Sequence, residues 1–207
     1  AVNGNATAHC PTAYTIRTYD SNGFDDVFTD AEGNKTDFDY NASGQLTQRI
    51  EGKGKLEQRT TTYAWEPLPK NRLKSVTTAD NETRYTYRTD NRPLSLTSKN
   101  LSNNIGVYGQ ELTTTYDYVI DPISKMITTM TIDGPATEVA DVTTHHYSAS
   151  GDLLDVTDAV GNSTRYSNHN GLGLPGRVTA AGGAITDFTY DGRGRVLTRT
   201  NYLAGKA

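Results

Sequence analysis

The sequence predicts an all-β chain of tandem antiparallel β-hairpins, and three observations predict it. Short segments alternate apolar and polar residues with a period of two, the mark of a half-buried strand. Tyrosine and glycine recur at fixed spacing from one end of the chain to the other. No amphipathic helical stretch interrupts them. Composition agrees: counting glycine in place of tyrosine (19 for 13) in the 34% hydrophobic fraction gives about 37%, short of the ~45–50% of typical domains. Threonine fills the shortfall, and it suits a pleated surface without being strongly apolar. A sheet apolar on one face only has this composition; a sandwich burying two inner faces needs more Val, Ile and Leu.

Residues 1–13 are small, polar and unpatterned, and read as an N-terminal arm or the tail of a preceding element, which leaves 14–207 as the sheet domain. Residues 14–19 alternate and enter a turn at Tyr19-Asp20-Ser21-Asn22-Gly23. Phe24 and Val27 follow where leucine is usual, so this unit reads as a sheet edge, with Asp25 and Asp26 discouraging pairing with another chain. In Lys35–Tyr40 the side chains of Thr36, Phe38 and Tyr40 point one way, those of Asp37 and Asp39 the other. Asn41-Ala42-Ser43-Gly44 supplies a turn, with Gly44 free to take φ > 0 and Asn41 able to bond its own backbone. The chain returns with Leu46 and Ile50 expected on one face. Residues 60–65 read as strand, and Glu66-Pro67-Leu68-Pro69 ends it, since two prolines so close cannot sit in a central ladder. Strands are expected over 72–79, 81–89, 113–120 and 125–133, with 100–109 a loose polar stretch and Asp121-Pro122 and Asp133-Gly134-Pro135 as turns. Three regular units close the chain, around Tyr147, Asn168 and Tyr190.

The units repeat. Tyr19 and Gly23, Tyr40 and Gly44, Tyr147 and Gly151, and Tyr190 and Gly194 each stand four apart. A second turn alternates with the first: Asp158-Ala159-Val160-Gly161-Asn162-Ser163-Thr164 copies Asp30-Ala31-Glu32-Gly33-Asn34-Lys35-Thr36 almost residue for residue, and Gly183 precedes Tyr190 by the offset at which Gly33 precedes Tyr40. Tyr63, Tyr87 and Tyr118 hold the rhythm through the middle, where Asn91 replaces glycine and tolerates left-handed backbone. Self-similarity at a period of about 20 residues signals a repeat architecture.

This signature resembles the YD-repeat (RHS-repeat) proteins over about 14–202: a tyrosine-aspartate step, glycine four on, an apolar residue after it, then T-D-x-x-G-N-x-T before the next tyrosine. The family includes bacterial Rhs polymorphic toxins, cocoon-forming subunits of insecticidal toxin complexes, and teneurins. The resemblance implies that the hairpins add laterally into one curved, spiralling sheet, a segment of a shell that encloses a polypeptide cargo. The self-cleaving members' D-P-x-G motif is not matched by Asp121-Pro122-Ile123-Ser124, so processing activity is not carried over.

The residues themselves offer little chemistry. His145 and His146 are adjacent on a strand and so point to opposite faces, and His145 falls in register with Phe38 and Tyr85, as a packed ring. His/Cys spacing for zinc is missing, and His9-Cys10 has the same geometric problem. Asp20 to Asp25 faintly resembles a calcium loop but lacks the sixth-position glycine and the final acid. Asp30, Asp158 and Asp191 recur in register and read as turn acceptors, since an active site is one asymmetric constellation. The Gly171–Gly176 stretch precedes no helix, so it reads as a widened turn and not a phosphate cradle. Lys53, Lys55 and Arg59, interrupted by Glu51 and Glu57, read as a solvated strand face. With a net charge of −4 there is no basic stripe for nucleic acid. No run approaches the ~18 apolar residues of a membrane helix. There is no signal-peptide pattern, and the start at Ala1 fits a trimmed or excised chain. A lone Cys10 excludes an internal disulfide.

The expectation is a scaffold segment of an Rhs-type toxin shell, not an enzyme, with no catalytic, cofactor or metal residues. Its partners would be adjoining repeats or toxin cargo of the same polypeptide, or a second copy through exposed sheet edges. It would be secreted or delivered by a bacterial secretion system, in the service of bacterial competition. The alternative is an extracellular adhesion module gripping carbohydrate or protein through exposed Tyr, Trp65 and Asn.

Overall fold

The computed structural model describes residues 14–104 and 106–205, so the expected arm at 1–13, with His9 and Cys10, lies outside the described residues. The described residues hold sixteen strands and no helix. They fall into two compact units, Ala1–Tyr87 with Leu96–Leu112, and Arg88–Ser95 with Thr113–Ala207.

The first unit is an antiparallel meander of β1 (Ile16–Tyr19), β2 (Asp25–Thr29), β3 (Lys35–Tyr40), β4 (Leu46–Glu51), β5 (Arg59–Trp65), β6 (Leu73–Thr77) and β7 (Asn81–Tyr87), each hydrogen-bonded to the next in chain order. β8 (Pro93–Asn100) and β9 (Glu111–Ile120) run through the division between the units. The second unit continues the meander through β9, β10 (Ile127–Asp133), β11 (Val142–Tyr147), β12 (Leu153–Thr157), β13 (Ser163–Ser167), β14 (Arg177–Thr179), β15 (Ile185–Tyr190) and β16 (Val196–Tyr202). The proline-rich stretch is the β5–β6 loop, with a cis Leu68–Pro69 bond.

Register fixes which side chains share a face, because opposite residues on paired strands point the same way. In the first unit Phe28, Phe38, Tyr40, Tyr63, Trp65, Tyr85 and Tyr87 all fall on one face. In the second unit Tyr116, Tyr118, His145, Tyr147, Tyr166, Phe188 and Tyr190 do the same. The opposite faces carry mostly threonines and charges, with a few aliphatics such as Val27 and Ile50 among them. No apolar side chain among the described residues is fully buried. This is the one-faced sheet that the composition predicts.

Three expectations fail here, each for a local reason. Leu46 and Ile50 do not share a face: Leu46 opposes Tyr40 and Gln48 opposes Asp39, so Thr47 is a bulge that reverses the alternation and turns Ile50 to the side of Asp37. Asp25 and Asp26 do not guard an edge. They lie in β2, paired on both sides, where Arg17 reaches Asp25 and the Thr18 hydroxyl donates to Asp26 at 3.1 Å; the terminal strand among the described residues is β1. Lys53 and Lys55 are not on a strand face. They sit in the β4–β5 turn, where Lys53 Nζ meets Asp37 at 2.6 Å. Asp37 is the only side chain among the described residues that is buried, and a buried carboxylate needs such a partner. That bond also raises the Lys53 pKa.

Candidate functional site

Because the strands alternate in direction, the two turn types of the sequence segregate to the two ends of the strands. In the first unit one end carries the turns after Tyr19, Tyr40 and Trp65 and the other the turn containing Gly33; in the second unit one end carries the turns after Ile120, Tyr147, His169 and Tyr190 and the other those containing Gly161 and Gly183.

Both types use one backbone design. At the Tyr40 turn the Asn41 N–H donates to the Gln45 carbonyl (2.9 Å), the Gly44 N–H donates back to the Asn41 carbonyl (2.9 Å), and Gly44 has φ 74. The Asn41 side-chain oxygen accepts the N–H groups of Ser43 (2.9 Å) and Gln45 (3.1 Å). Asp20, Asp30, Asp158, Asn170 and Asp191 accept the same pair of N–H groups in their own turns. This is the three-residue hairpin loop whose left-handed position favours glycine. Asn91, with φ 69, takes the glycine place after Tyr87.

These bonds leave a chemical trace. The Asn34 side-chain amide, against the opposing effect of burial and helped by the backbone of Asn34 and Glu32, holds Asp30 below its ordinary value. Asp158 is lowered the same way by Asn162, and Asp191 by the backbone and side chain of Arg195. The carboxylate of Asp121, the residue of the D-P step, accepts the Ile123 and Ser124 N–H groups at 3.0 and 2.6 Å. Asp20, at the head of the calcium-like stretch, accepts Asn22 and Phe24 N–H at 2.8 and 2.9 Å. All are turn acceptors.

The residues at the tyrosine end do more than turn the chain. Trp65 Nε1 donates to the Leu46 carbonyl at 2.8 Å, the Tyr87 hydroxyl to the Leu73 carbonyl at 2.8 Å, and the Tyr190 hydroxyl to the Pro175 carbonyl at 3.0 Å. Leu46, Leu73 and Pro175 hold equivalent places, the first position after the preceding turn closes. Each of these corners therefore ties its hairpin to the one before it. The glycines complete the joint. A β-carbon on Gly44 would lie 2.7 Å from the Phe24 ring, on Gly151 2.8 Å from Met126, on Gly173 3.2 Å from Asp152, and on Gly194 3.1 Å from Leu174. In every case the partner is the residue that closes the preceding turn. Phe24 also stacks on Tyr40, centroids 5.0 Å apart. Desolvation raises the phenol pKa of Tyr40, Tyr87 and Tyr118.

Of the signature residues, Tyr40, Gly44, Tyr87, Gly151, Tyr190 and Gly194 lie at these joints, Gly23, Gly33 and Gly161 meet nothing within 4 Å, and three positions are shifted. Tyr63 and Tyr118 stand two residues before their turns, in the place of Phe38, and Trp65 and Ile120 take the corners. In the unit between those of Tyr147 and Tyr190, β13 ends at Ser167 and Asn168 takes a left-handed φ of 56, so the corner moves from the expected Asn168 to His169 and the turn begins at Asn170. Gly171 to Gly176 is that turn, widened as its glycines suggest. Sequence reasoning missed the glycine-to-turn contacts, although the apolar residue after the glycine at Phe24 and Leu174 was their visible trace.

His145 and His146 fall on opposite faces, and His146 Nδ1 lies 2.7 Å from Asp155. Among the described residues no three His, Cys, Asp or Glu gather closely enough to hold an ion, and no helix is long and apolar enough to cross a membrane.

No protein-family model matches the chain, and no curated protein matches it. Solved structures do. The chain is similar to the crystal structure of TcdB2-TccC3-TEV at 17% identity and a TM-score of 0.48, over 92% of this chain and 10% of that one. It is similar to TcdB2-TccC3-Cdc42 at 17% identity and a TM-score of 0.42, over 93% and 12%. The third is a Photorhabdus luminescens Tc holotoxin pore carrying a TccC3 mutation, at 11% identity and a TM-score of 0.25, over 90% and 16%. The chain thus spans about a tenth to a sixth of the solved chains it matches. At these identities and scores the likeness bears on neither activity nor partner.

Proposed function

We propose that this chain is a wall segment: part of a larger repeat sheet that encloses a polypeptide cargo of the toxin type and carries no reaction of its own. The observation that carries this reading is a repeated joint with no core. Hairpins are tied to their predecessors at Trp65, Tyr87 and Tyr190 and at Gly44, Gly151, Gly173 and Gly194, yet no apolar side chain among the described residues is fully buried. Such a sheet is stabilised collectively by its neighbours, as in other repeat architectures. Its half-buried aromatic face is the surface on which further wall or cargo would lie. The signature tyrosines and glycines are, on this reading, joints and not a site. Export follows from the same proposal, since a cargo needs containment only until delivery.

The test uses the full reading frame that contains this segment together with the polypeptide encoded after it. Limited proteolysis should leave that polypeptide intact within the folded protein and degrade it once the sheet is denatured. Equal digestion in both states overturns the proposal. Binding to a glycan array with no cargo protection would replace it with the adhesion reading.

A further inference from the structure

We infer that the cleft between the Gly161 and Gly183 turns of the second unit binds a small oxyanion, a carboxylate or phosphate group, held by Arg165. The inference rests on charge and space at these two turns and does not depend on whether the sheet encloses a cargo. The cleft measures about 360 Å³ and is lined by Ser163, Arg165 and Thr179 together with Ala180 and Ala181. Arg165 on β13 lies opposite Thr179 on β14, and Arg165 is exposed. Among the described residues Arg165 forms no ion pair, and neither it nor the Ser163 and Thr179 hydroxyls makes a side-chain hydrogen bond. The carboxylates around it are committed elsewhere. Asp155, opposite Arg165 on β12, meets His146 Nδ1 at 2.7 Å. Asp158 accepts the Val160 and Asn162 N–H groups at 3.0 and 2.8 Å and the Asn162 amide at 2.9 Å. Asp187 accepts both arms of the Arg177 fork, at 2.7 and 2.8 Å.

The same place in the first unit is filled. Because Asp158 to Thr164 copies Asp30 to Thr36, Arg165 stands where Asp37 stands. Asp37 opposes Ile50 as Arg165 opposes Thr179. Three residues past Ile50, Lys53 reaches back to the Asp37 carboxylate at 2.6 Å. Three residues past Thr179 stands Gly182, where a β-carbon would meet nothing within 4 Å. The charge on the strand is therefore inverted, and the side chain that answered it is gone. An anion from outside the chain restores the pair. The guanidinium fork matches two oxygens of a carboxylate or a phosphate, and the two free hydroxyls can donate to the oxygens that remain. The small side chains of Ala180 and Ala181 leave the cleft open for it.

Phenylglyoxal modification of the full protein, read residue by residue in a mass spectrometer, tests the assignment. Inorganic phosphate or acetate, with ionic strength held constant by chloride, should protect Arg165 saturably. Arg193, exposed in the Tyr190 turn, should gain no such protection. Protection by phosphate alone makes the ligand a tetrahedral anion, and by acetate alone a planar one. Gly182→Glu sets a tethered carboxylate at the place of Lys53. It should slow Arg165 modification roughly two- to fivefold without added anion, the effect of one exposed ion pair, whereas Gly182→Gln should not. Equal protection of Arg165 and Arg193, or protection no greater than chloride alone gives, overturns the inference. So do equal Arg165 rates in the folded Gly182→Glu and Gly182→Gln proteins; if neither variant folds, protection in the unaltered protein decides.

Discussion

The two turn-bearing ends of the strands use the same backbone loop for different purposes. At the end holding Gly33 and Gly161, both glycines have positive φ and nothing within 4 Å of a β-carbon. At these two positions glycine answers only to backbone conformation, while a β-carbon on Gly183 would also meet Ala204 at 3.4 Å. At the tyrosine end Gly44, Gly151, Gly173 and Gly194 have positive φ as well, but each also lies against the turn before it. The comparison teaches that one residue type at one loop position is held by one constraint at Gly33 and Gly161 and by two at Gly44, Gly151, Gly173 and Gly194.

The largest effect expected from this contrast is at Gly44. Gly44→Ala must pay for left-handed backbone and displace the Phe24 ring from Tyr40, together about 2–4 kcal/mol. Gly161→Ala meets only the first term, about 1–2 kcal/mol. Urea midpoints of the two variants decide it; equal losses would mean that the close approach at Gly44 is unimportant. The corner donors come next. Tyr190→Phe and Tyr87→Phe should each cost about 0.5–1.5 kcal/mol, one net hydrogen bond, whereas Tyr166→Phe, at no corner, should cost less in the same titration.

The third contrast is acid sensitivity. Asp30, Asp158 and Asp191 have folded pKa values below the ordinary 3.8. A depressed carboxyl stabilises the fold above its unfolded pKa, and that stabilisation is lost as pH falls through the folded one. Stability should therefore be level above about pH 5 and fall below pH 4. Asp191→Asn keeps an acceptor, as Asn41 and Asn170 already do, and cannot titrate, so it should flatten the acid limb of a thermal-denaturation series. The smallest effect is at the half-exposed His146–Asp155 pair: His146→Gln should shift stability by less than about 1 kcal/mol.

Most of the fold was legible because hairpin repeats are written locally. The period-two segments gave β3 with its own bounds, Lys35–Tyr40, and the tyrosine-to-glycine spacing marked the turns after Tyr19, Tyr40, Tyr147 and Tyr190. Where the reading slipped, the cause was local but conformational. The bulge at Thr47 turned Ile50 over, and the left-handed Asn168 moved a corner by one residue. A bulge has no reliable residue signature, because it depends on how two strands meet.

Sequence alone therefore determined the class, the alternation of two turns and the acceptor role of the repeated acids, since each depends on residues within a few positions of one another. Only tertiary structure decided that the aromatic corners within each unit share a face, that Asp37 is buried against Lys53, and that a glycine in one turn makes room for a side chain from the turn before. Those facts join residues about 16 to 25 positions apart, and strand register alone brings them together.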